Sequence, residues 1–122
     1  MNWNLTGAIL MALSVALGAF GAHGLRGRLD AYSMSVYEKA VFYQFIHSLG
    51  LLIVSYLPKT GTFSMSAAST VCALLLAGIV IFSGSLYVLA VTGRTWLGAI
   101  TPIGGLSFIA AWVMLAWYSM RR

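Results

Sequence analysis

The chain has 122 residues, 61% of them hydrophobic and only 7% charged, with a formal net charge of +5. So little polar sequence remains outside the apolar blocks that a water-soluble domain of ordinary size is excluded. The seven Lys and Arg residues stand singly or in pairs near block ends, the placement of membrane-interface anchors, which argues against nucleic acid as a partner.

Four apolar stretches follow one another, Leu5 to Ala22, Ala40 to Leu57, Ala67 to Val91 and a last one ending near Tyr118. Each is about the length that crosses ~30 Å of hydrocarbon. The expected fold is an all-α membrane protein, with four transmembrane helices over about 5–22, 36–57, 67–91 and 102–119 forming one compact bundle and one domain, 1–122. A signal peptide is the rival account of the first stretch. Such a peptide carries its positive charge ahead of the apolar run, whereas here Met1 to Thr6 has no charged side chain and Arg26 and Arg28 follow it.

The first helix is dense in small residues, and Ser14, Gly18 and Ala22 recur at four-residue spacing along one face. Small residues let a neighbouring backbone approach, so this helix is expected to be the most buried of the four, with that face against another helix. Ser35-Val36-Tyr37-Glu38 has the form of a capping box, which predicts the second helix to start there and stop at Pro58. In the third block, Ser83-Gly84-Ser85 interrupts the apolar run, and Cys72, the only cysteine, reads as a small packing residue. Thr101-Pro102 suits an N-cap followed by a first helical residue, so the fourth helix is expected to start at Pro102 after a non-helical approach through Ala99 and Ile100.

Three cations on each side of the bundle leave orientation open. Lys39 and the charge-free N-terminus tip it toward both termini outside the cytoplasm.

Polar side chains at membrane depth are costly and invite a functional reading with a named partner. Tyr43, Gln44 and His47 share one face of the second helix at i, i+3 and i+4 spacing, and His23 ends the first helix. With Ser83, Ser85, Tyr87 and Thr101 they make a candidate polar pocket between helices, able to hold a small ligand, a lipid headgroup or a proton. The competing reading is interhelical hydrogen bonding that only locks the bundle. Two histidines and the carboxylates Asp30 and Glu38 make a poor metal set, so no metal or other cofactor is expected. FSGSLY is not a nucleophile elbow, and no catalytic residue is assigned.

Four segments resemble a known family: GAFGAHGL at Gly18 to Leu25, the run Ala40, Tyr43, Gln44, His47 and Leu49, FSGSLY at Phe82 to Tyr87, and TGRTWLGAITPIGG at Thr92 to Gly105. Together they resemble the domain-of-unknown-function 423 family, which includes bacterial inner-membrane proteins and the eukaryotic transmembrane protein 256 group. The resemblance implies a small multi-pass protein of the bacterial inner membrane and supplies no activity. The expected function is non-enzymatic, with the polar pocket as the leading reading. The alternative is a structural or assembly subunit of a larger membrane complex. Membrane lipids are the expected partners, together with a second copy of the chain or a larger complex.

Overall fold

The computed structural model describes residues 1–121. Four helical spans cover Trp3–Leu25, Ala31–Thr60, Met65–Thr92 and Thr95–Arg121, each long and apolar enough to cross a bilayer, and no strand occurs among the described residues. The spans form one bundle in which the first packs chiefly on the second, and the fourth chiefly on the third.

The second span starts earlier than the Ser35 motif predicts. Asp30 caps it at Ala31, its carboxylate accepting from the Ser33 N–H at 2.7 Å. The capping box does not form: the Ser35 hydroxyl donates to the Tyr32 carbonyl at 2.7 Å, and Glu38 pairs with Arg26 at 3.4 Å. Asp30 directly follows the turn at Gly27, whose φ of 87° only glycine adopts readily, and it offers a good cap more than a turn before Ser35. At the fourth span, the approach expected to be non-helical is a 3₁₀ turn over Thr95–Ala99, and α-helix runs from Thr101. Thr101 does not act as an N-cap; its hydroxyl points back to the Leu97 carbonyl at 3.2 Å.

The expectation that the first span is the most buried is wrong. Only 17% of its most apolar window is buried, as for the fourth span, against 39% and 44% for the second and third. The predicted stripe holds only in part: Ser14 is buried and a Cβ on Gly18 would lie 3.4 Å from Val41 of the second span, but Ala22 is exposed. The stripe that meets the second span is Gly7, Ser14 and Gly21, spaced by seven residues. A Cβ on Gly7 would lie 2.8 Å from Leu52, and one on Gly21 would lie 2.5 Å from Tyr37. Seven-residue spacing keeps contact along two helices crossing at a shallow angle, whereas a four-residue stripe winds away from the partner.

Two π-helical turns interrupt the spans, at Gly21–Leu25 and Ile79–Ser83. The second turn is where the fourth span comes closest. A Cβ on Gly104 would collide with the backbone of Phe82, and one on Gly78 would enter the ring of Phe108. Around these contacts lies a core of Leu51, Val54, Val71, Leu75, Ile79 and Phe108. Cys72 is fully buried within it, its Sγ 3.7 Å from the Leu51 carbonyl oxygen.

Gly104→Ala is expected to cost about 1–3 kcal/mol, because the methyl meets backbone that has no rotamer to escape into. Gly84→Ala, where nothing lies within 4 Å of the added carbon, should cost no stability. Equal melting temperatures for the two variants in detergent would refute the close approach. A second expectation concerns Asp30, whose carboxyl is held below the ordinary carboxylate range by the backbone N–H and then the hydroxyl of Ser33. A lowered value in the fold means that the cap contributes above the ordinary carboxylate range and is lost as pH falls through the lowered one. Asp30→Ala should remove this acid dependence, read as helix content against pH.

Candidate functional site

The buried face of the second span carries Tyr37, Ala40, Gln44, His47, Ser48, Leu51 and Val54, at the three- and four-residue steps that line one side of a helix. Gln44 joins three spans through its amide. Its Nε2 donates to the Leu10 carbonyl of the first span at 3.1 Å, and its Oε1 accepts from the Tyr87 hydroxyl of the third at 2.5 Å. The Tyr87 ring meets Tyr37 edge to face at 5.3 Å between centroids, and the Tyr37 hydroxyl donates to the Leu17 carbonyl at 2.5 Å. Leu10 and Leu17 are seven residues apart, as are Gln44 and Tyr37. The two polar contacts therefore repeat the seven-residue register of the glycines.

His47 belongs to a different group. Its Nδ1 lies 2.9 Å from the Tyr43 carbonyl, which can only accept, so Nδ1 carries the hydrogen. The imidazole lies flat against Phe108, with centroids 3.6 Å apart and planes 14° apart, and Trp112 stands beyond at 5.8 Å. Phe82 fills the gap between Tyr43 and Phe108 at 4.5 and 5.5 Å. This is an aromatic column across three spans.

The hydroxyl group forms a third set. Ser83, inside the π turn, donates to the Ala40 carbonyl at 2.8 Å. Ser85 lies 2.9 Å from the Phe82 carbonyl and 2.6 Å from the Thr101 hydroxyl. Each hydroxyl has one hydrogen: that of Ser85 goes to the Phe82 carbonyl, and that of Thr101 is shared between the Ser85 oxygen and the Leu97 carbonyl.

Of the eight candidate residues, then, the structure joins Gln44 directly to Tyr87 and Ser85 directly to Thr101, and it links His47 to Tyr43 through the backbone and ring stacking. Ser83 serves alone. His23 joins none of them: it is exposed in the first π turn and makes no hydrogen bond among the described residues. Ending a span lets an imidazole reach headgroups or water, and so removes the need for an internal partner. Sequence reasoning missed Tyr37, Phe82, Phe108 and Trp112. Tyr37 could have been found from its seven-residue spacing to Gln44, while the aromatic column depends on spans brought together only by the fold.

Tyr43 and Thr101 also line a cleft of about 470 Å³ that opens sideways between the second span and the third and fourth.

The sequence model of a family described as "protein of unknown function (DUF423)" matches residues 17–105. The chain belongs to this family. It is 53% identical over 111 residues to a UPF0382 membrane protein of Staphylococcus haemolyticus, covering 91% of this chain and 88% of that one. A second relative, the UPF0382 membrane protein YwdK of Bacillus subtilis, is 46% identical over 111 residues, covering 91% and 89%. No solved structure matches. With four apolar spans and relatives that are named membrane proteins of bacteria, this member of the family is a multi-pass integral membrane protein. The matched segment takes in Gln44, His47, Tyr87 and Thr101 but stops before Phe108 and starts after Leu10, which contributes only a backbone carbonyl.

Tyr87→Phe and Gln44→Leu should each destabilise the bundle by roughly 0.6–1.7 kcal/mol, and the double variant should cost clearly less than their sum. Additive costs in a denaturation cycle in detergent would show that the hydroxyl and amide do not meet.

Proposed function

We propose that this protein is a non-enzymatic membrane subunit that docks through its first span on another transmembrane helix, while its intramembrane polar residues lock its own fold. The observation that carries this reading is the outward face of the first span. Ala8, Ala12, Ala16, Ala19 and Ala22 are all exposed and fall on one side, opposite the Gly7, Ser14 and Gly21 stripe. Lipid tails gain nothing from alanine over leucine, whereas a second helix gains close approach. Support also comes from the interior: Gln44, Ser83, Ser85, Tyr87 and Thr101 each already have a hydrogen-bond partner within the chain.

The test is a double substitution on that face, Ala12→Leu with Ala19→Leu. It is expected to leave the melting temperature unchanged and to abolish association. Sedimentation in detergent reads association with a second copy, and cross-linking in native membranes reads association with another protein. An unchanged mass together with unchanged cross-links would overturn the docking reading, and Val113→Leu on the exposed side of the fourth span controls for bulk alone.

A further inference from the structure

The sideways cleft is lined by a cation, Lys39, that has no carboxylate partner among the described residues. Tyr32, Ser35 and Lys39 line it from one stripe of the second span, and Phe82, Leu86 and Leu89 line it from the third. Its volume of about 470 Å³ is within the range of roughly 300–1,000 Å³ usual for small-molecule sites.

Depth follows from the neighbouring turn. Glu38 is bonded to Arg26 with both side chains more than half exposed, which puts this level of the second span at the headgroups. Helical side chains tilt toward the N-terminus, so Lys39 leans outward to the end of the cleft where Ser35 and Tyr32 stand. Two donor groups thus gather at the mouth, the Lys39 ammonium and the Tyr32 hydroxyl, while the Ser35 hydroxyl spends its hydrogen on the Tyr32 carbonyl. Below them Phe82, Leu86 and Leu89 make an apolar wall, with Tyr43 and Thr101 as the polar residues that also line the cleft.

We infer that this cleft binds an anionic glycerophospholipid, with its phosphate at Lys39 and Tyr32 and an acyl chain along Phe82, Leu86 and Leu89. A phosphate has only acceptors to offer, and the mouth supplies donors. A headgroup that also carries an ammonium is disfavoured, because no carboxylate lines the cleft and Glu38 is already engaged by Arg26. The inference is independent of the docking role proposed for the first span, which lies on another side of the second.

The test uses the full chain purified in detergent and titrated with phosphatidylglycerol or with phosphatidylcholine of the same acyl chains, adducts being counted by native mass spectrometry. Phosphatidylglycerol should be preferred. Lys39→Gln should lower its binding about fivefold, the ratio that corresponds to one lysine at an anionic surface, and should leave phosphatidylcholine unaffected. Lys39→Arg should retain the preference, and so should Arg28→Gln, which removes an exposed cation from the same end of the bundle. Equal binding of the two lipids, no effect of Lys39→Gln, or an equal loss in Arg28→Gln would overturn the site. Displacement of the lipid by an equal concentration of glycerol phosphate would overturn the lipid as its occupant. Because the Lys39 side chain is exposed, an unchanged melting temperature is expected for each variant and confirms that the comparison is between folded proteins.

Discussion

Hydrocarbon offers no hydrogen-bond partner to the side-chain amide of Gln44, so both of its halves must be met by the chain itself. That requirement fixes the second span as the hub. Its amide reaches a carbonyl of the first span and a hydroxyl of the third, so a rotation that satisfied one neighbour alone would strand the other. Bonds of this kind in membranes contribute only about 0.6 kcal/mol on average, because the separated helices also find partners. Their larger effect here is on register. Sliding the first span by one turn, about 5.4 Å, would move Leu10 and Leu17 away from Gln44 and Tyr37 and set larger side chains where Gly7 and Gly21 now fit.

Packing carries the association that the hydrophobic effect cannot, since lipid tails are as apolar as leucine. The glycines therefore sit where large side chains of a neighbour need room: Gly50 faces Trp112, Gly78 faces Phe108, and Gly21 faces Tyr37. Gly104 is a stricter case, for its neighbour is the backbone of the π turn. A π turn holds one more residue than an α turn and shifts the side chains that follow it. In the third span, that shift accompanies Ser83 facing Ala40 and Phe82 facing Tyr43 at once, so the polar contact and the aromatic column share a single backbone irregularity.

The four spans were legible because length and apolarity alone decide them. Which face of a span meets protein was less so, and for a definite reason. The first span has small residues on both sides, so Ser14, Gly18 and Ala22 could not be told from Gly7, Ser14 and Gly21 without knowing the crossing geometry. The Ser35 motif was misleading because capping rules compare local candidates, and Asp30, six residues from the first apolar-periodic position, competes only if the helix projects beyond the hydrocarbon. Gln44 with Tyr87 was foreseeable as a pair, both being polar at depth. The stacking of His47 on Phe108 was not, because Phe108 carries no polar signal that would single it out among the apolar residues of the fourth span.

The two ends of the bundle use their cations differently. At the end with the termini, Lys59 lies over the Tyr56 ring at 4.9 Å and Arg121 over the Trp117 ring at 5.3 Å, pairs that suit a membrane boundary. At the other end stand Arg26, Arg28, Lys39 and Arg94, together with Asp30 and Glu38, the chain's only two acids. Asp30 is committed to a helix cap and Glu38 to Arg26, so Arg28, Lys39 and Arg94 are left without carboxylate partners among the described residues. The positive-inside bias counts Lys and Arg rather than net charge, and Lys39 makes four at this end against Lys59 and the two C-terminal arginines. The bias therefore favours a cytoplasmic position for the end that carries the cleft, and that leaflet is where an anionic surface would act most strongly on these cations.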